Sequence, residues 1–114
     1  MSSLTFFDPD RGKDRAMLEL IIAAIKSRSL VTFDYEPGER LIEPHAVGRS
    51  KDGNLLLRAF QVSGASASGE HVNWKLFRLD RMGHANDSGE FFDGPRPEYN
   101  PDDSAMKGGI IACL

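Results

Sequence analysis

The sequence predicts an α+β, mainly β fold, in which an N-terminal helix precedes a small curled sheet. One stretch of apolar residues at helical period stands near the start of the chain. Beyond it the pattern switches to period two over several short runs, and turn-forming residues separate those runs.

The helix is expected over residues 12–27. Met17, Leu18, Ile21, Ile22 and Ile25 form one apolar stripe, with Lys13, Asp14, Lys26 and Arg28 at its solvated ends and flank. Asp8 or Asp10 can cap its start, Pro9 suits a first helical position, and Arg28 suits the negative end of the helix dipole. Val31, Phe33 and Tyr35 then alternate with Thr32, Asp34 and Glu36 as a first strand. Glu36-Pro37-Gly38-Glu39 is a turn. Residues 40–43 read as the returning strand, ended by Pro44, and residues 45–49 as a short further strand. After the tight turn Lys51-Asp52-Gly53-Asn54, residues 54–62 are the most strand-like run. Leu55, Leu57 and Ala59 share one face of it, and Leu56, Arg58 and Phe60 the other. Residues 63–69 are small and polar, hence a flexible loop. Residues 72–81 form a strand carrying Trp74, Leu76, Phe77 and Leu79. Asn86-Asp87-Ser88-Gly89 is a turn before a short strand, 90–92.

From Asp93 prolines and glycines interrupt regular structure. Asp102 can cap one helical turn through Ala105 and Met106. The apolar end, 110–114, is either a last strand docked on the sheet or a peptide that docks on a neighbouring copy. Strands this few and short curl to protect their edges, which makes an Sm-like or SH3-like β-barrel behind the helix the expected architecture. The domain organisation is an N-terminal extension (1–11), the helix-and-barrel domain (12–92) and an acidic C-terminal extension rich in Pro and Gly (93–114).

Composition bounds the function. At 114 residues, 40% hydrophobic and 27% charged, the chain is an ordinary single globular domain. It has no run long enough for a membrane helix and no signal peptide, and its one cysteine, Cys113, fits a reducing, cytoplasmic setting. The net charge of −3 is unevenly spread. Residues 1–82 carry 12 basic and 11 acidic side chains, residues 83–114 carry 2 and 6, and residues 40–81 carry 7 and 4. A local anion-binding face is therefore compatible with the mean, but nucleic-acid coating by bulk charge is not.

Enzyme signatures are lacking. No P-loop occurs, Gly64-Ala65-Ser66-Ala67-Ser68 misses the final glycine of a nucleophile elbow, and His45, His71 and His84 do not stand at metal-ligand spacing. No cofactor or catalytic residue is expected. The feature that stands out is Lys75-Leu76-Phe77-Arg78-Leu79-Asp80-Arg81, three cations at three-residue intervals. They can converge on an anion if the strand bulges or ends near Asp80. Otherwise they line a surface strand in which Asp80 pairs with one arginine.

In order along the chain, Val31-Thr32-Phe33-Asp34-Tyr35, Arg40-Leu41-Ile42-Glu43-Pro44-His45, Gly53-Asn54-Leu55-Leu56-Leu57-Arg58-Ala59-Phe60 and Lys75-Leu76-Phe77-Arg78-Leu79-Asp80-Arg81-Met82 resemble the WYL domain family. With the end of the helix, the likeness spans residues 16–85. The last segment is similar to the family's R-x-F-R-x-x-R element with Lys75 for the first arginine, and Leu55-Leu56-Leu57 stands where the family has Trp-Tyr-Leu. The resemblance implies an Sm-like, SH3-type barrel that senses an anionic ligand or nucleic acid. Such domains usually follow a winged helix in bacterial transcription regulators. The few residues before the helix leave no room for one, so a stand-alone WYL-like domain is expected.

The expected function is a non-enzymatic regulatory or sensor module. It binds an anionic small ligand, such as a nucleotide, or single-stranded nucleic acid, and involves no membrane. Lys75, Arg78 and Arg81 are the expected ligand contacts, with Arg58 extending the cationic face. His45 either donates to a phosphate or is a structural histidine, and Trp74 stacks a base, fills the core or meets a partner. The competing expectation is a protein-interaction domain that forms a homo-oligomer through sheet edges and the C-terminal tail.

Overall fold

A computed structural model describes residues 9–114 of the chain. Helix α1, Pro9–Ser27, is followed by six strands: β1 Ser29–Tyr35, β2 Gly38–Arg49, β3 Leu55–Gly64, β4 Asn73–Arg78, β5 Gly83–Phe91 and β6 Gly109–Cys113. Pro9 opens the helix as expected. The capping expectation for Asp8 lies outside the described residues, and the side chain of Asp10 lies outside them too. At the other end Arg28 takes the left-handed conformation (φ 58°) that closes many helices. Its guanidinium donates to the Asp93 carbonyl at 2.8 Å.

The strands form one antiparallel sheet in the order β4-β3-β2-β1-β5, with β6 also on β2. The end strands β4 and β5 do not pair, so the hydrogen-bonded ladder is open and is not closed into the expected barrel. β2 organises the sheet. β3 pairs with it from Arg40 to Arg49, while β1 pairs with Gly38 to Ile42 and β6 with Ala46 to Arg49. Pro44 therefore does not end a strand. It falls between the β1-paired and β6-paired parts, beside a register shift in the β3 ladder, where a strand tolerates a proline. Gly48 lets β6 approach, because a side chain there would strike the Gly109 carbonyl and the Met106 sulfur.

β5 differs from expectation in the same way. Asn86-Asp87-Ser88-Gly89 lies inside a nine-residue strand. Asp87 Oδ1 accepts from the Gly89 N–H at 2.8 Å, and the β1 partner shifts from Ser29↔Phe91 to Val31↔Asp87. The turn chemistry is present, but it makes a bulge rather than a reversal.

The sheet is covered on both faces. On one, Met17, Ile21, Ala24 and Ile25 of α1 pack on Val31, Phe33, Ile42, Val47, Leu57, Ala59, Phe77, Leu79 and Met82. Phe77 sits edge-on to Phe33 and to Tyr35 with centroids at 4.9 Å in each pair. On the other face Ala46 and Leu56 pack under Met106, with Tyr99 and Ala105 around them. The acidic segment after Phe91 is thus the cover of the second face, and it ends as strand β6. The turn within it is capped by Asp103, whose Oδ1 accepts from the Ala105 N–H at 3.0 Å, and not by Asp102.

Candidate functional site

The residues singled out from the sequence divide into two groups. His45, Arg58 and Trp74 come together on the second face, beneath the C-terminal segment. Lys75, Arg78 and Arg81 do not converge: Lys75 reaches back to the loop that precedes β4, whereas Arg78 ends β4 and Arg81 lies in the turn beyond it.

The first group is joined across three strands and the segment above them. Trp74 pairs with Phe60 across the β3–β4 ladder, and Arg58 with Leu76. The Trp74 ring lies 4.7 Å edge-on from the His45 ring and nearly parallel to Tyr99, with centroids at 6.2 Å and planes 20° apart. Its indole N–H donates to the Pro97 carbonyl at 3.3 Å. Arg58 forks onto Asp103, Nε to Oδ2 at 2.7 Å and Nη2 to Oδ1 at 3.2 Å. A cleft of about 270 Å³ opens beside this pair, lined by Arg58, Trp74, Glu98, Tyr99, Asn100 and Asp103.

Of the two roles expected for His45, the structure gives it the structural one. It is fully buried and both ring nitrogens are engaged. Nδ1–H donates to the Glu43 carbonyl at 2.8 Å, and Nε2 accepts from the Arg96 backbone N–H at 3.0 Å. The ring is therefore neutral, and it has no nitrogen left for a phosphate. Burial, and then the nearby Arg96 charge, hold its pKa below the ordinary 6.5 against the opposing pull of Glu43. The structural role is the one His45 takes, because its position on the covered part of β2 leaves it no path to solvent.

The sheet holds the segment above it by crossed ion pairs. Arg96 of the segment forks onto Glu43 of β2 at 2.7 and 3.0 Å, while Asp103 of the segment receives Arg58 of β3. The Arg96 guanidinium also lies 4.3 Å from the centre of the Phe60 ring. Arg58 holds the Asp103 carboxyl below its usual range. Burial, and then the Cys113 thiol beside it, push the Tyr99 phenol up to about 12.

The second group is more open. β4 ends at Arg78 and a single 3₁₀ turn, Leu79–Arg81, follows. Arg78 is not aimed outward as a free fork. Its Nε and Nη2 bind Asp80 at 3.1 and 2.7 Å, and that pairing depresses the Asp80 pKa. Lys75 reaches the loop after β3, donating to Ser66 Oγ at 3.1 Å and Ser68 Oγ at 3.2 Å. Arg81 is exposed. Among the described residues neither Lys75 nor Arg81 pairs with a carboxylate.

Arg40 was not anticipated as a special position. It is buried, and its partners are all uncharged: Tyr35 O at 3.1 Å, Glu36 O at 2.6 Å and Gln61 Oε1 at 3.2 Å. Its guanidinium faces the Tyr35 and Phe77 rings at 5.3 and 5.7 Å. Burial draws its pKa down. Gln61 in turn donates to Ala65 O and His71 O, so this network ties the β1–β2 turn to the loop that receives Lys75. The signal was present in the strand parity, since Arg40 shares a face with the core residue Ile42.

A scan against protein-family models and a search of curated proteins return no match. Among solved structures the chain is similar to proteasome accessory factor B/C (PafBC) of Arthrobacter aurescens, with a TM-score of 0.59 and 21% sequence identity. The likeness covers 75% of this chain and 13% of that one, and at this identity it is a likeness of fold.

Proposed function

We propose that this chain is a non-enzymatic regulatory module that binds an anionic ligand, a nucleotide or single-stranded nucleic acid, through cations at its sheet. The observation that carries this reading is that Lys75 on β4 is held by hydroxyls and Arg81 in the turn after β4 is exposed, each with no carboxylate partner among the described residues. Cations left unneutralised in a chain of net charge −3 are poised for phosphate oxygens. The WYL-like order of segments through β1 to β4 and the fold likeness to the accessory factor support the same reading, with a curled, Sm-like or SH3-like sheet as its finer architecture. The test is titration with a fluorescent single-stranded oligonucleotide at two salt concentrations. Binding should weaken as salt rises and be lost in folded Lys75→Ala/Arg81→Ala. Salt-independent binding, or full binding by that variant, would overturn the reading.

A second reading, self-assembly, draws on exposed apolar side chains at strand edges. Phe91 of β5 is 70% exposed, and Ile110 and Ile111 of β6 are 38% and 42% exposed. It predicts a dimer by light scattering that Ile111→Lys dissociates. A monomeric mass for the unaltered chain at high concentration would remove it.

A further inference from the structure

The Arg58–Asp103 fork sits at the wall of the cleft beside Trp74 and Tyr99, and the two sides of that fork belong to different kinds of structure. Arg58 projects from the middle of β3, paired on both sides by β2 and β4. Asp103 belongs to an irregular acidic segment that pairs as a strand with the sheet only from Gly109, where β6 begins. We propose that this cleft is a closed subsite for a nucleotide-sized anion, whose phosphate or carboxylate takes the place of Asp103 on Arg58 while a planar ring lies along Trp74 and Tyr99. The proposal rests on the anion-binding reading above and gives it a place and a gate.

The geometry of the fork is that of a ligand contact. Two parallel N–H···O bonds, at 2.7 and 3.2 Å, are what a guanidinium makes to a phosphate. Exchange keeps both bonds and returns the buried Asp103 carboxylate to water, so the partly buried Arg58 is never left without an anion. The ring wall is already in place, since Trp74 and Tyr99 present planes 20° apart. The volume of about 270 Å³ is slightly below the roughly 300–1,000 Å³ of ordinary ligand sites, and departure of Asp103 enlarges it. Glu98 also lines the cleft, and its carboxylate disfavours a second anionic group there.

Trp74 is the single tryptophan, so its fluorescence reports this cleft directly. The full-length chain is titrated with adenosine monophosphate, inorganic phosphate and adenosine. Asp103→Asn removes the competing charge but keeps the acceptor for the Ala105 N–H. It should bind the monophosphate about tenfold more tightly than the unaltered chain, and Arg58→Gln should lose binding. Equal affinity in folded Asp103→Asn, or retained affinity in Arg58→Gln, overturns the proposal. Should Asp103→Asn fail to fold, hydrogen exchange on the unaltered chain decides. Saturating monophosphate should speed exchange over residues 98–106, and unchanged or slower exchange in the bound state overturns the gate. Oligonucleotide binding that needs Lys75 and Arg81 but not Arg58 sinks this subsite and leaves the module reading standing. Failure of every anion to bind removes both.

Discussion

The two faces of the sheet are held by different physics. Against α1 the cover is a stripe of four buried side chains on a continuous apolar layer. Against the C-terminal segment the apolar contact shrinks to Met106 on Ala46 and Leu56, and two crossed ion pairs, a buried histidine and an indole supply the rest. Apolar burial is indifferent to pH and weakly sensitive to salt, whereas forks between partly exposed groups respond to both. The α1 face is therefore expected to hold the fold, and the second face to loosen first as pH or salt changes.

The sharpest way to test that contrast is to remove one large side chain from each face. Phe77→Ala should cost about 3–5 kcal/mol, because it empties the centre of the Phe33–Tyr35–Phe77 cluster. That is a large part of the roughly 5–15 kcal/mol a small domain has, so partial unfolding at 37 °C is expected. Met106→Ala should cost about 2 kcal/mol, since its cluster is small and can collapse. It should leave the α1 face intact. Urea unfolding monitored by circular dichroism gives both values. Equal losses at the two positions would abolish the distinction between the faces.

Acid should separate the faces next. The pKa of His45 is below 6.5 in the folded protein, so as pH falls the unfolded chain takes up this proton first. The associated stability is complete above pH 6.5 and declines as pH drops from there toward the folded value. Asp103 and Asp80 act in a lower window. Their folded pKa values lie below 3.8, so their contribution persists until pH falls beneath that value. The second face should accordingly loosen in two steps, His45 first. Hydrogen exchange from pH 7.5 to 5.5 should show residues 92–106 opening while α1 stays protected. Uniform loosening of both faces would contradict the assignment.

The first face was legible in the sequence and the second was not. Met17, Ile21 and Ile25 announce a helix by spacing, and Val31, Phe33 and Tyr35 announce a strand by alternation, because those periods are local. Leu57 and Ala59 against Leu56 and Arg58 were also assigned to opposite faces correctly from parity. The second face depends on partners far apart in the chain: Arg96 with Glu43, Asp103 with Arg58, Tyr99 with Trp74. No local rule predicts such pairs, so the apolar end, 110–114, was legible as a docked strand or a peptide for a neighbouring copy, while the Pro- and Gly-rich stretch before it gave no sign of what it covers. Pro44 and Asn86-Asp87-Ser88-Gly89 were misread for a related reason. Their chemistry permits a strand end or a bulge, and the neighbouring strand decides which.

The smallest stability effect should come from the cations at the end of β4, and it is there that function and folding separate most cleanly. The Arg78–Asp80 pair is open to solvent on both sides, the setting in which ion pairs contribute least. Arg78→Ala and Arg81→Ala should each leave the urea midpoint within error of the unaltered chain. Oligonucleotide binding should respond differently to the two. Arg81→Ala should reduce affinity and flatten the dependence on salt by about one phosphate contact. Arg78→Ala should do less, because its fork is already filled by Asp80. Asp80→Asn, which releases that fork, should strengthen binding where Arg78→Ala weakens it. Asp80→Asn made in the Arg78→Ala background separates competition from the bare change of charge: a gain that disappears there reflects competition for the Arg78 guanidinium, whereas a gain that persists reflects only the lost negative charge.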